Sequence, residues 1–118
     1  MTPREIHEGL LSYRRLLVVA AEDVARRDGR KPERAQLAHL VALCAQATCA
    51  EEVTNFLRYQ AARGKWDRGL VDAAVQAVGR AIDGLRPDDH LRAEAWRLFA
   101  LYLARAIRFR QAAGGQGG

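Results

Sequence analysis

Each of the three prolines in this chain stands at the head of a run with helical periodicity, and none falls inside one. Proline lacks an N–H and its ring clashes with the preceding turn, so a helix tolerates it in the first turn and not in the interior. Pro3 follows Thr2, Pro32 precedes Glu33, and Pro87 precedes Asp88-Asp89. Glycine marks several of the opposite ends, at Gly29, Gly64 and Gly84, and Gly64, without a Cβ, is placed to take the left-handed conformation that closes a helix. Alanine, leucine and arginine dominate the stretches between, and this favours helix over strand. The pattern predicts an all-α fold, a single bundle of about five helices with a long N-terminal helix and a basic-faced C-terminal helix. A chain of 118 residues fits one domain with a core of its own.

Thr2-Pro3-Arg4-Glu5 reads as a capping box, and Ile6, Leu10, Tyr13, Leu17 and Val24, with Leu16 and Ala20 alongside, carry helix 1 from about residue 3 to 28. Such a helix spans roughly 38 Å, longer than one face of a small bundle needs. Pro32-Glu33 opens helix 2, with Leu37, Leu40, Val41 and Leu43-Cys44 on its apolar face. Thr48-Cys49-Ala50-Glu51 reads as a second capping box and predicts a break before a third helix with Val53, Phe56, Leu57 and Gln60. One continuous helix from Pro32 to Arg63 is the open alternative, because neither Gly nor Pro interrupts it. Asp67 caps helix 4, whose stripe is Leu70, Val71, Ala74, Val75, Val78 and Ile82, and whose Gly79 would permit close approach of a neighbour. Pro87, at the first helical position, opens helix 5 with Asp88 and Asp89 at the positive end of its dipole.

Helix 5 is predicted to run to about Gln111. At 100° per residue Ala95, Leu98, Phe99, Tyr102, Leu103, Ala106 and Phe109 share one half of the wheel, and Arg97, Arg105 and Arg108 fall within about 80° of one another opposite. From Ala95 onward no acid occurs to pair with them. The domain is placed at residues 1–111, and 112–118 is a flexible Gly-rich tail by composition. The formal charge is +5, and its distribution is uneven. Residues 1–57 hold eight bases and eight acids, whereas residues 58–118 hold eleven bases and six acids. A polyanion would therefore meet the second half.

Catalytic material is sparse. Ser12, the only serine, has no nucleophile-elbow context; His7, His39 and His90 lack the spacing of a metal site; and Asp88-Asp89 and Glu51-Glu52 read as first-turn acids. There is no phosphate-binding glycine loop. No catalytic residue, metal ligand or cofactor is expected, and the chain is read as not an enzyme. Cys44 and Cys49, five apart, match neither a redox pair nor a zinc knuckle and are expected to be reduced core thiols. No run of eighteen apolar residues occurs and the first residues lack a signal core, so a soluble, cytoplasmic protein without membrane contact is expected.

The densest mixture of bases and rings lies in Phe56 to Trp66, before and across the stop at Gly64. Arg58, Arg63 and Lys65 suit the last turns of a helix, where carbonyls favour cations, and they equally suit phosphates. Were helices 3 and 5 to pack side by side, these bases would extend the patch of Arg97, Arg105 and Arg108. Tyr59 and Trp66 stand open to stacking on a base or to a place in the core. The same face would also serve a helical protein–protein adaptor or regulatory module binding an acidic partner.

The run Tyr59-x-Ala61-x-Arg63-x-Lys65, with a leucine-bearing helix before it and an aliphatic helix after it, leads to the aromatic terminal helix Leu98 to Gln111. In this order the chain resembles the small subunit of multi-subunit CRISPR effector complexes, over about residues 35 to 111. The Csm-type small subunit of type III complexes is similar, and so is the small subunit of another class such as type IV. The resemblance implies a non-catalytic, all-helical subunit that lines the complex in several copies, with other effector subunits as partners. It would hold the guide RNA and its target nucleic acid by backbone contacts, and from the motif it carries over Arg63 and Lys65 as contact residues.

Overall fold

In this computed structural model the described residues are 2–85 and 88–117, and of residues 5–10 and 115–117 only the backbone is described. The architecture is an all-α bundle: α1 Pro3–Ala25, α2 Arg34–Gln46, α3 Ala50–Ala62, α4 Arg68–Ile82 and α5 Asp89–Gly117, with a 3-10 turn Asp83–Leu85 after α4. No strand occurs among the described residues. The Thr2–Glu5 capping box, Ile6 and Leu10 involve side chains outside that description, as does the placement of Pro87 at the head of the last helix. No helix among the described residues is long and apolar enough to cross a membrane.

α5 is the central element. It packs most extensively on α1 and next on α2, while α4 covers another side of α1. Tyr13, Leu17, Ala21 and Val24 recur at three-and-four spacing and bring one stripe of α1 inward, against Phe99, Leu103 and Ile107 of α5 in the same core. Leu17, Phe99 and Leu103 have no exposed surface, and each such side chain contributes about 1.5–3 kcal/mol by leaving water. Because Tyr13 lies near Glu94 and Arg97 while Ala25 and Arg26 share a groove with Ile107, Arg110 and Gln111, α1 and α5 run in the same direction. α4 runs against α1: Leu16 to Arg27 line a second groove with Ala73 to Ala81, and the Arg27 guanidinium reaches the start of α4.

The helix ends show why the breaks fall where they do. Gly64, at φ +76°, closes α3: its N–H bonds to the Ala61 carbonyl at 3.0 Å and the Lys65 N–H bonds to the Gln60 carbonyl at 2.9 Å. That pair of bonds is the Schellman pattern, which satisfies carbonyls the helix leaves free. Gly29, at φ +114°, turns the chain after α1, which ends at Ala25, three residues before the expected stop. α2 and α3 are separate helices, because Ala47 and Cys49 are extended. The Glu52 carboxylate holds the break by accepting from the Thr48 N–H at 3.0 Å and its hydroxyl at 2.8 Å. The expected capping box of Thr48 and Glu51 does not form: the N-cap is Cys49, which makes no side-chain cap bond, and Thr48 donates to Glu52 instead of accepting from the helix. Asp67 caps α4 by accepting from the Leu70 N–H at 3.1 Å, and Asp88 does the same for the Leu91 N–H at 2.8 Å.

Four packing expectations are corrected. Gly79 has open space where its Cβ would stand, so it mediates no close approach. Leu16, read alongside the apolar face of helix 1, is 52% exposed. Cys49 is half-buried at the N-cap of α3, while Cys44 is a core thiol pushed up to about 12 by burial. Finally, α5 continues to Gly117, past the expected end near Gln111 and through most of the segment read as a tail, since Ala112 and Ala113 are strong helix formers.

Candidate nucleic-acid interface

The apolar arc of α5 is rotated from the one its wheel suggests. The residues with least exposure are Ala95, Phe99, Ala100, Leu103 and Ile107, with Trp96 close behind. At 100° per residue their arc is centred roughly 70° from the expected one. The rotation follows from packing against two neighbours, α1 and α2, instead of one. Trp96 turns inward and meets the edge of Phe99 at 5.6 Å, and Phe109 turns outward with 76% of its surface exposed. Phe109, expected in the core, is the most exposed large apolar residue described.

Arg105 and Arg108 are exposed and no carboxylate pairs with either among the described residues. Twelve residues separate Arg105 from the end of α5 at Gly117, so the helix C-terminus does not explain its charge. Arg97 differs from both. Its guanidinium donates from Nε to Glu94 at 2.9 Å and from Nη2 at 2.5 Å, in an i,i+3 pair. The acid lies one turn N-terminal to it, just before the acid-free stretch that begins at Ala95. This pair holds the Glu94 carboxyl below its usual range and raises Arg97. Beside it the Tyr13 hydroxyl is buried without a hydrogen-bond partner among the described residues, and desolvation, with Glu94 nearby, pushes it up to about 12.

The α3–α4 turn is built differently from what its composition suggests. Trp66 is 1% exposed and its indole N–H donates to Gln36 Oε1 at 3.2 Å, so it joins the core and cannot stack on a ligand. Tyr59 is exposed, but the Arg63 guanidinium lies 5.5 Å from its ring centroid and also reaches Gln60 Oε1 at 3.4 Å. Arg63 and Tyr59 thus occupy one another. Arg58 lies about 140° around α3 from Arg63 and lines a separate cleft with Arg68 and Asp72 of α4. α3 touches α5, but less extensively than α1 and α2 do, so α5 takes its main neighbours elsewhere than at helix 3. Lys65 is exposed.

What the fold assembles instead is a pair of adjoining grooves along α1 and α5. One, of about 370 Å³, is lined by Val18, Glu22, Arg26, Tyr102, Arg105, Ala106, Phe109 and Arg110. The other, of about 290 Å³, shares Arg26 and Arg110 and adds Arg27, Asp28 and Lys31. Part of this charge has structural work: Arg26 pairs with Asp23, and the Lys31 ammonium donates to the Arg27 and Gly29 carbonyls past the end of α1. Arg30 donates to the Gly64 carbonyl at 2.7 Å and ties this corner to the α3–α4 turn. The exposed Arg105, Arg108 and Arg110 carry no such bond among the described residues. Sequence reasoning missed Arg26, Arg27, Lys31, Phe109 and Arg110 as site residues; the signal available was the basic turn Arg26 to Lys31, whose neighbour across the bundle only the topology reveals.

Among the described residues no cluster of His, Cys, Asp and Glu is arranged to hold a metal ion. His39 is a surface group whose ring meets Phe56 edge-on at 4.9 Å. No protein-family model matches the chain, and no curated protein or solved structure matches it either.

Proposed function

We propose that the chain is a non-catalytic, cytoplasmic subunit of a multi-subunit CRISPR effector complex that holds guide RNA or its paired target through phosphate contacts without reading sequence. The polyanion part rests on one observation: Arg105 and Arg110 project from the middle and later turns of α5 into grooves shared with Arg26, without carboxylate partners among the described residues, and Arg108 stands exposed on the same helix outside those grooves. Unpaired arginines held on a rigid helix suit phosphates, which bind in fixed positions and release counterions. The assembly part rests on the resemblance over residues 35 to 111. Of the motif residues, Lys65 keeps an exposed ammonium, while Arg63 would first have to leave Tyr59.

Two measurements test this. Arg105→Ala with Arg108→Ala is expected to weaken binding on all sequences alike and to leave the melting temperature nearly unchanged. The log affinity–log salt slope should flatten by about 0.7–0.9 for each phosphate that is no longer neutralised. Co-expression with neighbouring genes is expected to yield a stoichiometric complex carrying uniform short RNA with a repeat-derived handle. A complex free of nucleic acid would instead favour a helical adaptor. That second reading has its own observation: Leu16 and Val19, 52% and 53% exposed, line the groove between α1 and α4.

A further inference from the structure

Phe109 is the feature that phosphate binding leaves unused. A ring left 76% exposed beside three arginines is unexpected in a site built for phosphates alone. The groove it borders has two unlike walls. On the α5 side Arg105 and Arg110 flank Phe109; on the α1 side stand Glu22, exposed and without an ion pair among the described residues, and one turn further on Arg26, whose charge is already paired with Asp23. A carboxylate repels a phosphate and accepts from an N–H donor. Every nucleobase carries at least one N–H donor on its Watson–Crick edge, and in a duplex that donor is consumed by pairing.

We infer that the α1–α5 groove takes an unpaired base of a single-stranded nucleic acid. The base stacks on Phe109, its flanking phosphates lie on Arg105 and Arg110, and its free pairing edge faces Glu22. Each wall then has a reason for its chemistry. The volume, about 370 Å³, lies in the range that ligand pockets occupy, about 300–1,000 Å³. Stacking is tolerant of sequence because every base has a π-face, so the site selects strandedness and not identity. This inference rests on the phosphate-binding reading and sharpens it: the strand held here is one without a complement.

The test uses the full chain at low salt, with a labelled oligoribonucleotide offered single-stranded and as a duplex with its complement, followed by fluorescence anisotropy. The single strand is expected to bind about tenfold more tightly, a difference of about 1.4 kcal/mol. Phe109→Ala is expected to remove that preference while leaving duplex affinity unchanged, and Phe109→Trp is expected to retain it. The ring is mostly exposed, so neither variant threatens the fold. Equal affinity for the two forms, with Phe109→Ala silent and the arginine double variant still weakening both, overturns the base site and leaves the phosphate reading standing. Absence of salt-sensitive binding to either form overturns both.

Discussion

The α3–α4 turn and the α1–α5 groove contain the same kinds of residue, yet the fold uses them in opposite ways. In the turn, Trp66 is buried against Gln36, Arg63 lies over Tyr59, and the Gly64 carbonyl is taken by Arg30. In the groove, Phe109 faces water and Arg105 and Arg110 carry no ion pair among the described residues. Density of bases and rings along a chain therefore locates charge without locating a site. What distinguishes the two regions is how many of their groups are already partnered inside the protein, since a partnered group must give up one interaction to gain another.

The largest test of this contrast is Trp66→Ala. Truncating a fully buried tryptophan costs about 3–5 kcal/mol, and here it also strands the Gln36 amide oxygen that accepts from the indole. Chemical denaturation is expected to show a loss of that size, with nucleic-acid binding reduced only in proportion to the unfolded fraction. A stable variant that no longer binds would move the site back to the turn.

Alkali gives the next largest effect. The folded protein holds Tyr13 and Cys44 protonated up to about 12, against ordinary values of 10.0 and 9.0. For a group whose folded value is raised, the stabilisation is fully present below the unfolded value and is lost as the pH rises through the folded one. Between pH 9.0 and about 12 stability is therefore expected to fall, by up to about 1.4 kcal/mol per pH unit for each group within its own window. Cys44→Ala should flatten the lower part of that decline. Arginines do not titrate in this range, so the share of binding that Arg105 and Arg110 carry should disappear together with the fold and not ahead of it.

These differences also mark how far the sequence was legible. Helix number, the stop at Gly64 and the cap at Asp67 are set by local chemistry: a positive φ, a side chain within reach of an amide, a proline that cannot sit inside. Such signals need no knowledge of neighbours. The orientation of α5 is a different kind of fact. A helical wheel finds one apolar arc, but α5 packs against both α1 and α2, and Trp96, Ala100 and Ile107 are buried while Phe109 turns out. The grooves are further still from the linear pattern, because Arg26 and Arg110 meet only through the parallel packing of α1 and α5. Arg97 shows a smaller failure of the same kind, since the acid that neutralises it lies one turn on its N-terminal side.

Two glycines sharpen the contrast between local and tertiary signals. Gly64→Ala places a Cβ in open space at φ +76°, so its whole cost is conformational, about 1–2 kcal/mol. Gly79→Ala, also in open space but within α4, should stabilise by about 0.8–1.0 kcal/mol. Opposite signs in thermal unfolding are expected. Equal signs would mean that something other than backbone conformation decides at one of them.

The smallest effect is also the most direct probe of why Arg97 and Arg105, two arginines of one helix, differ. Glu94→Gln releases Arg97 from a pair whose side chains are 40% and 32% exposed, and at that exposure the loss should be about 0.2–1 kcal/mol near neutral pH. Because the pair lowers the Glu94 pKa, this contribution is present above the ordinary carboxyl value and lost as the pH falls through the lowered one; the variant and the parent should therefore converge in acid. If an unpartnered arginine anywhere on α5 sufficed for phosphate binding, the freed Arg97 would tighten binding and steepen the salt slope by about 0.7–0.9. Arg97 lies about 12 Å along the helix from Arg105, at the level of Tyr13 and outside the groove that Arg26 and Arg110 complete. The slope is accordingly expected to stay where it was, because position against α1, and not freedom alone, makes an arginine part of the site.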